Sequence, residues 1–178
     1  MILCVYKEME RTKPTLKLLR YFAKDYNIRL IEAKEPDDYD KALKDLWGKD
    51  DIIIVEHDMI FHRGQLEEII NCGHYLCAFN YYLYEPTTGL KEPVLAHRSI
   101  GETRRLHWNS TEDETADSVG FGMTKISLNF QRDFGAAWDK GTKGTEWKNL
   151  DTRFSFYAMK LKIKFDIHKD IVFHNHKG

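Results

Sequence analysis

The chain has 178 residues, of which 42% are hydrophobic and 13% aromatic, so it has enough apolar side chains for a folded core. This composition excludes an intrinsically disordered chain. The formal net charge is −1, from 27 Lys and Arg against 28 Asp and Glu, and it gives no sign of a nucleic-acid-binding surface. No apolar run is long enough to cross a membrane or to form the core of a signal peptide. We therefore expect a soluble cytoplasmic protein with no nucleic-acid partner and no transmembrane segment.

Three cysteines, Cys4, Cys72 and Cys77, are an odd number and include no Cys-x-x-Cys pair. Two of them lie within apolar runs, where a free thiol behaves as a small hydrophobic side chain. The pattern favours free thiols in a reducing compartment, although thermophiles form disulfides inside cells.

Strand and helix patterns alternate in the first half of the chain. Short apolar runs with β-branched residues predict buried strands, and apolar residues at a spacing near 3.6 predict helices. The predicted elements are a strand at Ile2–Tyr6, a helix that begins near Thr12 and Pro14, a strand at Ile28–Ile31, a helix from Pro36 to Gly48, a strand at Asp51–Val55, a helix at Gly64–Asn71 and a strand at Tyr75–Phe79. Repeated strand–helix–strand units with short links imply right-handed crossovers and a largely parallel sheet.

The second half of the chain begins with a polar, loop-like stretch at Glu85–Ser118 that includes an acidic cluster at 112–114. An irregular segment of this length is uncommon in a compact domain unless it has a binding role or is mobile. Order resumes at Val119–Met123. The later predicted elements are a helix at Ile126–Phe134, a glycine-containing link at 141–144, a helix at Leu150–Lys160, a strand around Ile163–Ile167 and a last strand at Ile171–Phe173.

The most informative tripeptide is Glu56-His57-Asp58, which directly follows the strand that ends at Val55. Ligands of open α/β sheets bind at the carboxyl ends of the strands. Side chains two apart in an extended segment point the same way, and carboxylate oxygens suit Mg²⁺ or Mn²⁺. Glu56 and Asp58 are therefore candidate metal ligands, and the alternative is that they only mark the end of a strand.

This arrangement resembles the GT-A glycosyltransferases, whose nucleotide-sugar domain has this strand–helix order and whose acidic D-x-D metal motif follows a hydrophobic strand. The resemblance implies a Rossmann-like, three-layer α/β/α fold with a mostly parallel central sheet. It makes Asp58 the direct metal ligand. Glu56, which replaces the first Asp of the family motif, would support the metal or contact the nucleotide sugar.

The resemblance also implies how one domain spanning residues 1–178 is organised. Residues 1–84 would form the half that binds the nucleotide sugar, and residues 85–118 a long loop. Residues 119–178 would form the acceptor-side half, which ends in a tail with a metal ligand.

The resemblance continues downstream. The segment Val119–Thr124 looks like the family's strand–turn beneath the acceptor site, where Gly120 and Gly122 would let the backbone approach a sugar. An ordinary tight turn is the alternative. Leu150-Asp151 looks like the family's acceptor-side acidic pair, of which only the last member is matched. Asp151 would then be the general base of an inverting transfer, whereas its place at the start of a helix favours a simple N-cap.

A C-terminal histidine is the third candidate metal ligand. Members of the fold often supply a histidine after the last core strand, and His174 directly follows Phe173. His176 would share the face of His174 if the strand continues, and a His-x-His pair is moderately specific for metal. A solvated terminus is the other interpretation.

Weaker candidates lie near the expected nucleotide. Tyr6 and Lys7 follow the first strand, where the fold usually contacts the base or the diphosphate, and Glu32 matches the acid that meets the nucleoside. Arg104 and Arg105 in the long loop are of the residue type that pairs with phosphates, although charged loops are usually solvated.

We therefore expect a glycosyltransferase that uses Mn²⁺ or Mg²⁺ to move a hexosyl-type sugar from a nucleotide-diphosphate sugar to a hydroxyl of a glycan or glycoprotein acceptor. Two other classes stay open. One is a non-catalytic nucleotide- or glycan-binding module of the same fold. The other is a metallohydrolase that uses a His and Asp cluster. Its candidate ligands are His57, Asp58, His62, His174 and His176. Nucleotidyltransferases share the α/β layout and the acidic metal site and are the nearest enzymatic neighbour.

Overall fold

The computed structural model describes residues 1–35, 37–84, 91–99, 102–106, 115–135 and 149–175. The helices within these ranges are α1 (Lys13–Phe22), α2 (Asp38–Leu46), α3 (Arg63–Asn71), α4 (Leu128–Phe134) and α5 (Leu150–Lys160), with a 3₁₀ turn at Glu10–Thr12. The strands are β1 (Ile2–Tyr6), β2 (Ile28–Glu32), β3 (Ile52–Val55), β4 (Met59–Ile60), β5 (Leu76–Asn80), β6 (Tyr82–Tyr84), β7 (Lys91–Pro93), β8 (Ala96–Ser99), β9 (Glu102–Arg105), β10 (Thr115–Ala116), β11 (Met123–Ile126), β12 (Phe165–Ile171) and β13 (Phe173–His174). None of the helices described here has both the length and the apolar composition needed to cross a membrane.

Seven strands form the central sheet in the order β10-β12-β5-β11-β3-β1-β2. Strand β1 pairs in parallel with β2 and β3, and β12 pairs in parallel with β5. Strand β11 runs antiparallel between β3 and β5, and β10 is antiparallel to β12. Five of the seven strands therefore point in one direction, which confirms the predicted mostly parallel sheet.

Alternate residues of the central strands face opposite sides of the sheet, and helices cover both sides. Leu3 and Ile54 share one core cluster with apolar residues of α2, α4 and α5. Cys4 and Ile53 share the other cluster with apolar residues of α1 and α3. Burial on both faces explains the continuous apolar runs of β1 and β3, and it gives the predicted three-layer α/β/α architecture.

The stretch 85–118 differs from the irregular loop that the sequence predicts. Strands β8 and β9 pair as an antiparallel hairpin, and β7 pairs with β6. Much of β7 and β9 is exposed, so these strands lack the apolar alternation that identifies a half-buried strand. The buried side chains of Leu95, Ala96 and Leu106 anchor the segment to the core. The acidic cluster at 112–114, the link at 141–144, Pro36 and His176 lie outside the described residues.

The bonding of the cysteines also differs from the prediction. Cys72 and Cys77 form a disulfide, whereas Cys4 is a buried free thiol. The expectation of free thiols was therefore wrong for two of the three. Cys72 is the C-cap residue of α3 and Cys77 lies in β5, so the turn between these elements brings the two sulfurs together.

A buried lysine connects α3, β11 and the start of β3. Lys125 is 3% exposed, and its Nζ donates to the carbonyl oxygens of Ile70 and Cys72 at 2.8 and 2.7 Å. The same Nζ lies 2.9 Å from Asp51 Oδ2. A cation at a helix C-terminus is favourable because it satisfies terminal carbonyl groups and complements the helix dipole.

We expect Lys125→Met to lower the free energy of unfolding by about 2 kcal/mol, because the α3 carbonyls and the Asp51 carboxylate lose their shared cation. Chemical denaturation followed by circular dichroism measures this loss. Lys17→Met, which removes an exposed lysine from α1, is the matched control. Equal stability of the two variants would contradict the structural role of Lys125.

Candidate active site at the carboxyl ends of the central strands

A cleft of about 400 Å³ opens where β1, β2 and β3 end. Strand β1 lies between β2 and β3, and the connections that follow β1 and β2 lie on opposite faces of the sheet. The strand order therefore reverses between β1 and β3, which is the position where open α/β sheets bind ligands. The residues that line the cleft are Val5, Tyr6, Lys7, Ala33, Glu35, Tyr39, Glu56, His57, Asp58 and His174.

Asp58 is buried, and three basic side chains approach its Oδ2 atom. His174 Nε2 lies at 3.1 Å, Arg11 Nε at 3.6 Å and His57 Nε2 at 3.9 Å. Burial alone raises the pKa of Asp58, but the hydrogen bond and charge of His174 and the charges of His57 and Arg11 outweigh burial and lower it below its ordinary value. Asp58 is therefore an ionised carboxylate at neutral pH.

Strand β13 carries His174 to Asp58. Phe173 and His174 pair antiparallel with Ile60 and Met59 of β4, which begins immediately after the acidic tripeptide. The Asn175 N–H also donates to the Asp58 carbonyl at 2.7 Å. Neighbouring ligands of an octahedral ion with bonds of about 2.1 Å lie about 3 Å apart. The 3.1 Å between Asp58 Oδ2 and His174 Nε2 is the length of the hydrogen bond that joins them, and it is also compatible with this spacing.

Glu56 lines the same cleft, but its partner is a tyrosine. Tyr81 Oη donates to Glu56 Oε2 at 3.4 Å, and the Tyr81 ring stacks on His174 with centroids 6.1 Å apart. Burial raises the pKa of Glu56 to about 8, the charges of Asp151 and Asp58 contribute to the increase, and the Tyr81 hydrogen bond opposes it. Glu56 is thus connected to His174 through Tyr81.

Gly120 and Gly122 make room for Tyr81. A Cβ atom at Gly122 would lie 2.3 Å from Tyr81 Cε1, and one at Gly120 would lie 2.2 Å from Tyr81 Oη. The Gly122 carbonyl also accepts a hydrogen bond from Glu56 N at 3.0 Å. The space that the sequence interpretation gives to a sugar is therefore filled by the tyrosine that contacts Glu56.

We expect Gly122→Ala to lower the free energy of unfolding by about 1–2 kcal/mol, because the added methyl group overlaps the Tyr81 ring. Gly73→Ala is the control, since a Cβ at Gly73 meets no atom within 4 Å. Urea denaturation of both variants measures the difference. A Gly122→Ala variant as stable as Gly73→Ala would show that the ring moves aside at no cost.

Asp151 lies in the first turn of α5 and borders a second cavity of about 270 Å³. Asn149 is the N-cap residue, so the alternative that Asp151 is the N-cap is wrong. Its Oδ1 accepts from the Thr152 N–H at 2.7 Å. Burial raises the pKa of Asp151, and the hydrogen bonds from Thr152 oppose this increase. Asp151 in turn contributes to the raised pKa of Glu56, so the two carboxylates interact electrostatically.

Of the weaker candidates near the expected nucleotide, some line the cleft and others lie elsewhere. Tyr6 and Lys7 line the cleft, whereas Glu32 is exposed at the end of β2, and Glu35 approaches the cleft instead. Arg105 borders the second cavity, and its Nη1 donates to the Val94 carbonyl at 3.2 Å.

The proposed hydrolase ligands do not all converge. His62 is the N-cap of α3, where its Nδ1 accepts from the Gln65 N–H at 3.2 Å. Its Nε2 lies 3.3 Å from Asp170 Oδ2. His62 is thus occupied at a helix end and does not line the cleft.

Three further residues of the site, Arg11, Tyr39 and Tyr81, are absent from the sequence-based predictions. Tyr81 directly follows β5, so the rule that selected Glu56 at a strand end also applies to it. Arg11 lies in the 3₁₀ turn before α1 and belongs to no motif. Tyr39 lies in α2, where the sequence gives no sign that it faces a cleft.

No protein-family model matches the chain, and no curated protein matches its sequence. Among solved structures it is similar to a glycosyltransferase involved in the glycosylation of the major capsid of PBCV-1, with a TM-score of 0.52 and 8% identity over 99% of this chain and 93% of that chain. A CMP:2-keto-3-deoxy-manno-octonic acid synthetase matches with a TM-score of 0.45 and 7% identity, over 100% and 91% of the two chains. A putative glucose-1-phosphate thymidylyltransferase from Bacillus anthracis matches with a TM-score of 0.41 and 11% identity, over 93% and 67%. The first of these likenesses shows that the chain has a Rossmann-like α/β fold that also occurs in a glycosyltransferase.

Proposed function

We propose that the chain is a metal-dependent glycosyltransferase that moves a hexosyl-type sugar from a nucleotide-diphosphate sugar to a hydroxyl of a glycan or glycoprotein. The observation that carries the proposal is the pair of Asp58 and His174, whose donor atoms are 3.1 Å apart in a cleft at the topological switch point. The fold similarity to a glycosyltransferase of capsid glycosylation supports it.

The donor set of Asp58 and His174 fits a divalent cation. A carboxylate oxygen and an imidazole nitrogen suit Mn²⁺, and the carboxylate also suits Mg²⁺. When bound, such an ion neutralises charge on the departing diphosphate. The Arg11 guanidinium lies 3.6 Å from Asp58 Oδ2, so it adds a positive charge at the same place.

Other cleft residues supply contacts for the rest of the donor. Lys7 offers an ammonium group to the phosphates, and the Tyr6 ring offers a flat surface to the nucleobase. Tyr81 orients Glu56 by the hydrogen bond between them, and Glu56 takes the supporting role beside the metal site.

Asp151 is the proposed general base. It borders a separate cavity that is large enough for part of an acceptor, and its charge contributes to the raised pKa of Glu56, which lines the donor cleft. In a single displacement, Asp151 takes the proton from the acceptor hydroxyl while that oxygen bonds to the anomeric carbon and the nucleotide diphosphate leaves. Such a displacement inverts the anomeric centre.

Calorimetric titration of UDP and of GDP, each with Mn²⁺, Mg²⁺ or EDTA, tests the proposal. We expect binding with a Kd on the order of micromolar that requires the cation. Absence of binding under every condition would contradict a nucleotide-sugar site. Incubation with the corresponding nucleotide sugars and measurement of nucleotide diphosphate release then separates an enzyme from a binding module, since the module binds without release.

A further inference from the structure

A second group of potential metal donors lies away from the cleft. Cys72 Sγ, Cys77 Sγ and an imidazole nitrogen of His168 all lie within 4.8 Å of one another. Cys72 ends α3 and Cys77 is the second residue of β5, whereas the cleft lies at the carboxyl ends of the strands. The function proposed for the cleft makes no use of this group.

His168 has the surroundings of a metal-binding histidine. Its ring stacks on Phe79 with centroids 4.6 Å apart, and its Nδ1 lies 2.7 Å from Glu68 Oε1. Its Nε2 is buried and has no hydrogen-bond partner within the described part of the chain. A carboxylate that accepts from one ring nitrogen fixes the tautomer and makes the other nitrogen a better ligand.

We propose that the chain, once reduced, binds Zn²⁺ through Cys72, Cys77 and His168, and that the Cys72–Cys77 disulfide is the oxidised, metal-free state of the same site. Two thiolates and one imidazole form a donor set typical of zinc, with water as the fourth ligand. Glu68 is a positioning residue that orients His168. This inference is independent of the function proposed for the cleft.

The interconversion of the two states is balanced in electrons and protons. A dithiol reductant transfers two electrons and two protons to the disulfide, which yields two thiols while the reductant becomes a disulfide. Zn²⁺ then displaces both thiol protons, and the resulting site of two thiolates, one neutral imidazole and one zinc ion carries no net charge. Zinc binding therefore depends on the redox state and releases two protons.

The side chain of Cys72 has room for the change. Zinc–sulfur bonds of about 2.3 Å place two sulfurs of a tetrahedral site about 3.8 Å apart, so the sulfurs must separate after reduction. Cys72 is partly exposed, and it precedes Gly73, where a Cβ would meet no atom within 4 Å. Because Lys125 Nζ holds the Cys72 carbonyl at 2.7 Å, we expect rotation of the Cys72 side chain to create the site while Cys77 and His168 stay in their strands.

Titration with Co²⁺ under anaerobic conditions tests the proposal, because cobalt replaces zinc at thiolate sites and gives a sulfur-to-metal charge-transfer band. We expect the reduced wild-type chain to bind one Co²⁺ with this band and with the visible bands of tetrahedral cobalt, and to release it to one equivalent of Zn²⁺. The oxidised wild-type chain is expected to show neither band. Calorimetry in buffers of different ionisation enthalpy is expected to detect two protons released per zinc.

Variants separate this site from the cleft. We expect His168→Gln to weaken Zn²⁺ binding by more than about tenfold and Glu68→Gln by about 10- to 100-fold. His74→Asn is the matched control, because this exposed histidine contacts Asp166 and is not one of the three donors. Asp58→Asn is likewise expected to keep the charge-transfer band, since it changes only the cleft.

Three results would overturn the proposal. The first is a reduced wild-type chain without a charge-transfer band. The second is a His168→Gln variant that binds Zn²⁺ as tightly as His74→Asn does. The third is a band of equal intensity in the oxidised chain. The comparison of the reduced and oxidised wild-type chains needs no cysteine substitution, so a variant that fails to fold does not weaken the test.

Discussion

Replacement of Asp58 by asparagine is expected to weaken Mn²⁺-dependent binding of a nucleoside diphosphate by about 100- to 1,000-fold. Asparagine keeps the shape of the side chain but removes the negative charge. The site then loses its anionic ligand and keeps only the imidazole of His174, while the Arg11 guanidinium, left without its counter-charge, repels a cation. We therefore expect the affinity to fall in the presence of Mn²⁺ and to stay unchanged in the presence of EDTA.

Calorimetry of UDP and GDP with Mn²⁺ and with EDTA measures this effect, and circular dichroism checks that the variant is folded. Asp45→Asn is the control, because Asp45 is an exposed carboxylate on α2 that pairs with Arg29 and does not line the cleft. We expect the control to bind as the wild-type chain does. Unchanged affinity in the folded Asp58→Asn variant would remove Asp58 from the metal site and leave it as a counter-ion for the basic groups around it.

Local patterns in the sequence predict the buried strands and the helices that cover them. The runs at Ile2–Tyr6 and Ile52–Val55 are apolar throughout because both faces of the sheet are covered, and the intervening helices have apolar stripes. Strands β7 and β9 are harder to predict, since most of their side chains are exposed and give no alternation of buried and exposed positions to detect.

In the candidate site, too, the residues placed by local sequence can be predicted, and the contacts between distant residues cannot. Glu56 and Asp58 were predicted from their place after β3, because strand ends are fixed by the local sequence. The contacts of Asp58 with Arg11 and His174 join residues 47 and 116 positions apart. No periodicity encodes such pairs, and His174 was identified only through the family resemblance. The need for glycine at position 122 could not be predicted for the same reason, since the Tyr81 ring that requires this space lies 41 positions away in the sequence.

Replacement of Asp151 by asparagine is expected to reduce sugar transfer by about 10²- to 10⁴-fold, the usual contribution of a general base, while donor binding stays at the wild-type level. The amide has the shape of the carboxylate and keeps an oxygen that can accept from Thr152 N–H, but it takes no proton from an acceptor. A general base acts only when it is ionised, and burial raises the pKa of Asp151. As the pH is lowered, the wild-type rate should therefore begin to fall at a higher pH than it would with an ordinary aspartate. The variant should lack this decline.

Single-turnover assays with a nucleotide sugar and an acceptor, combined with calorimetry of the donor, separate the two effects of the Asp151 change. Asp133→Asn is the control, since this exposed carboxylate of α4 accepts from Tyr75 and borders neither cavity. A loss of donor binding in Asp151→Asn would place Asp151 in the donor site rather than the acceptor site. Retained transfer with an unchanged pH profile would mean that the raised pKa of Asp151 reflects burial alone and that another group accepts the proton.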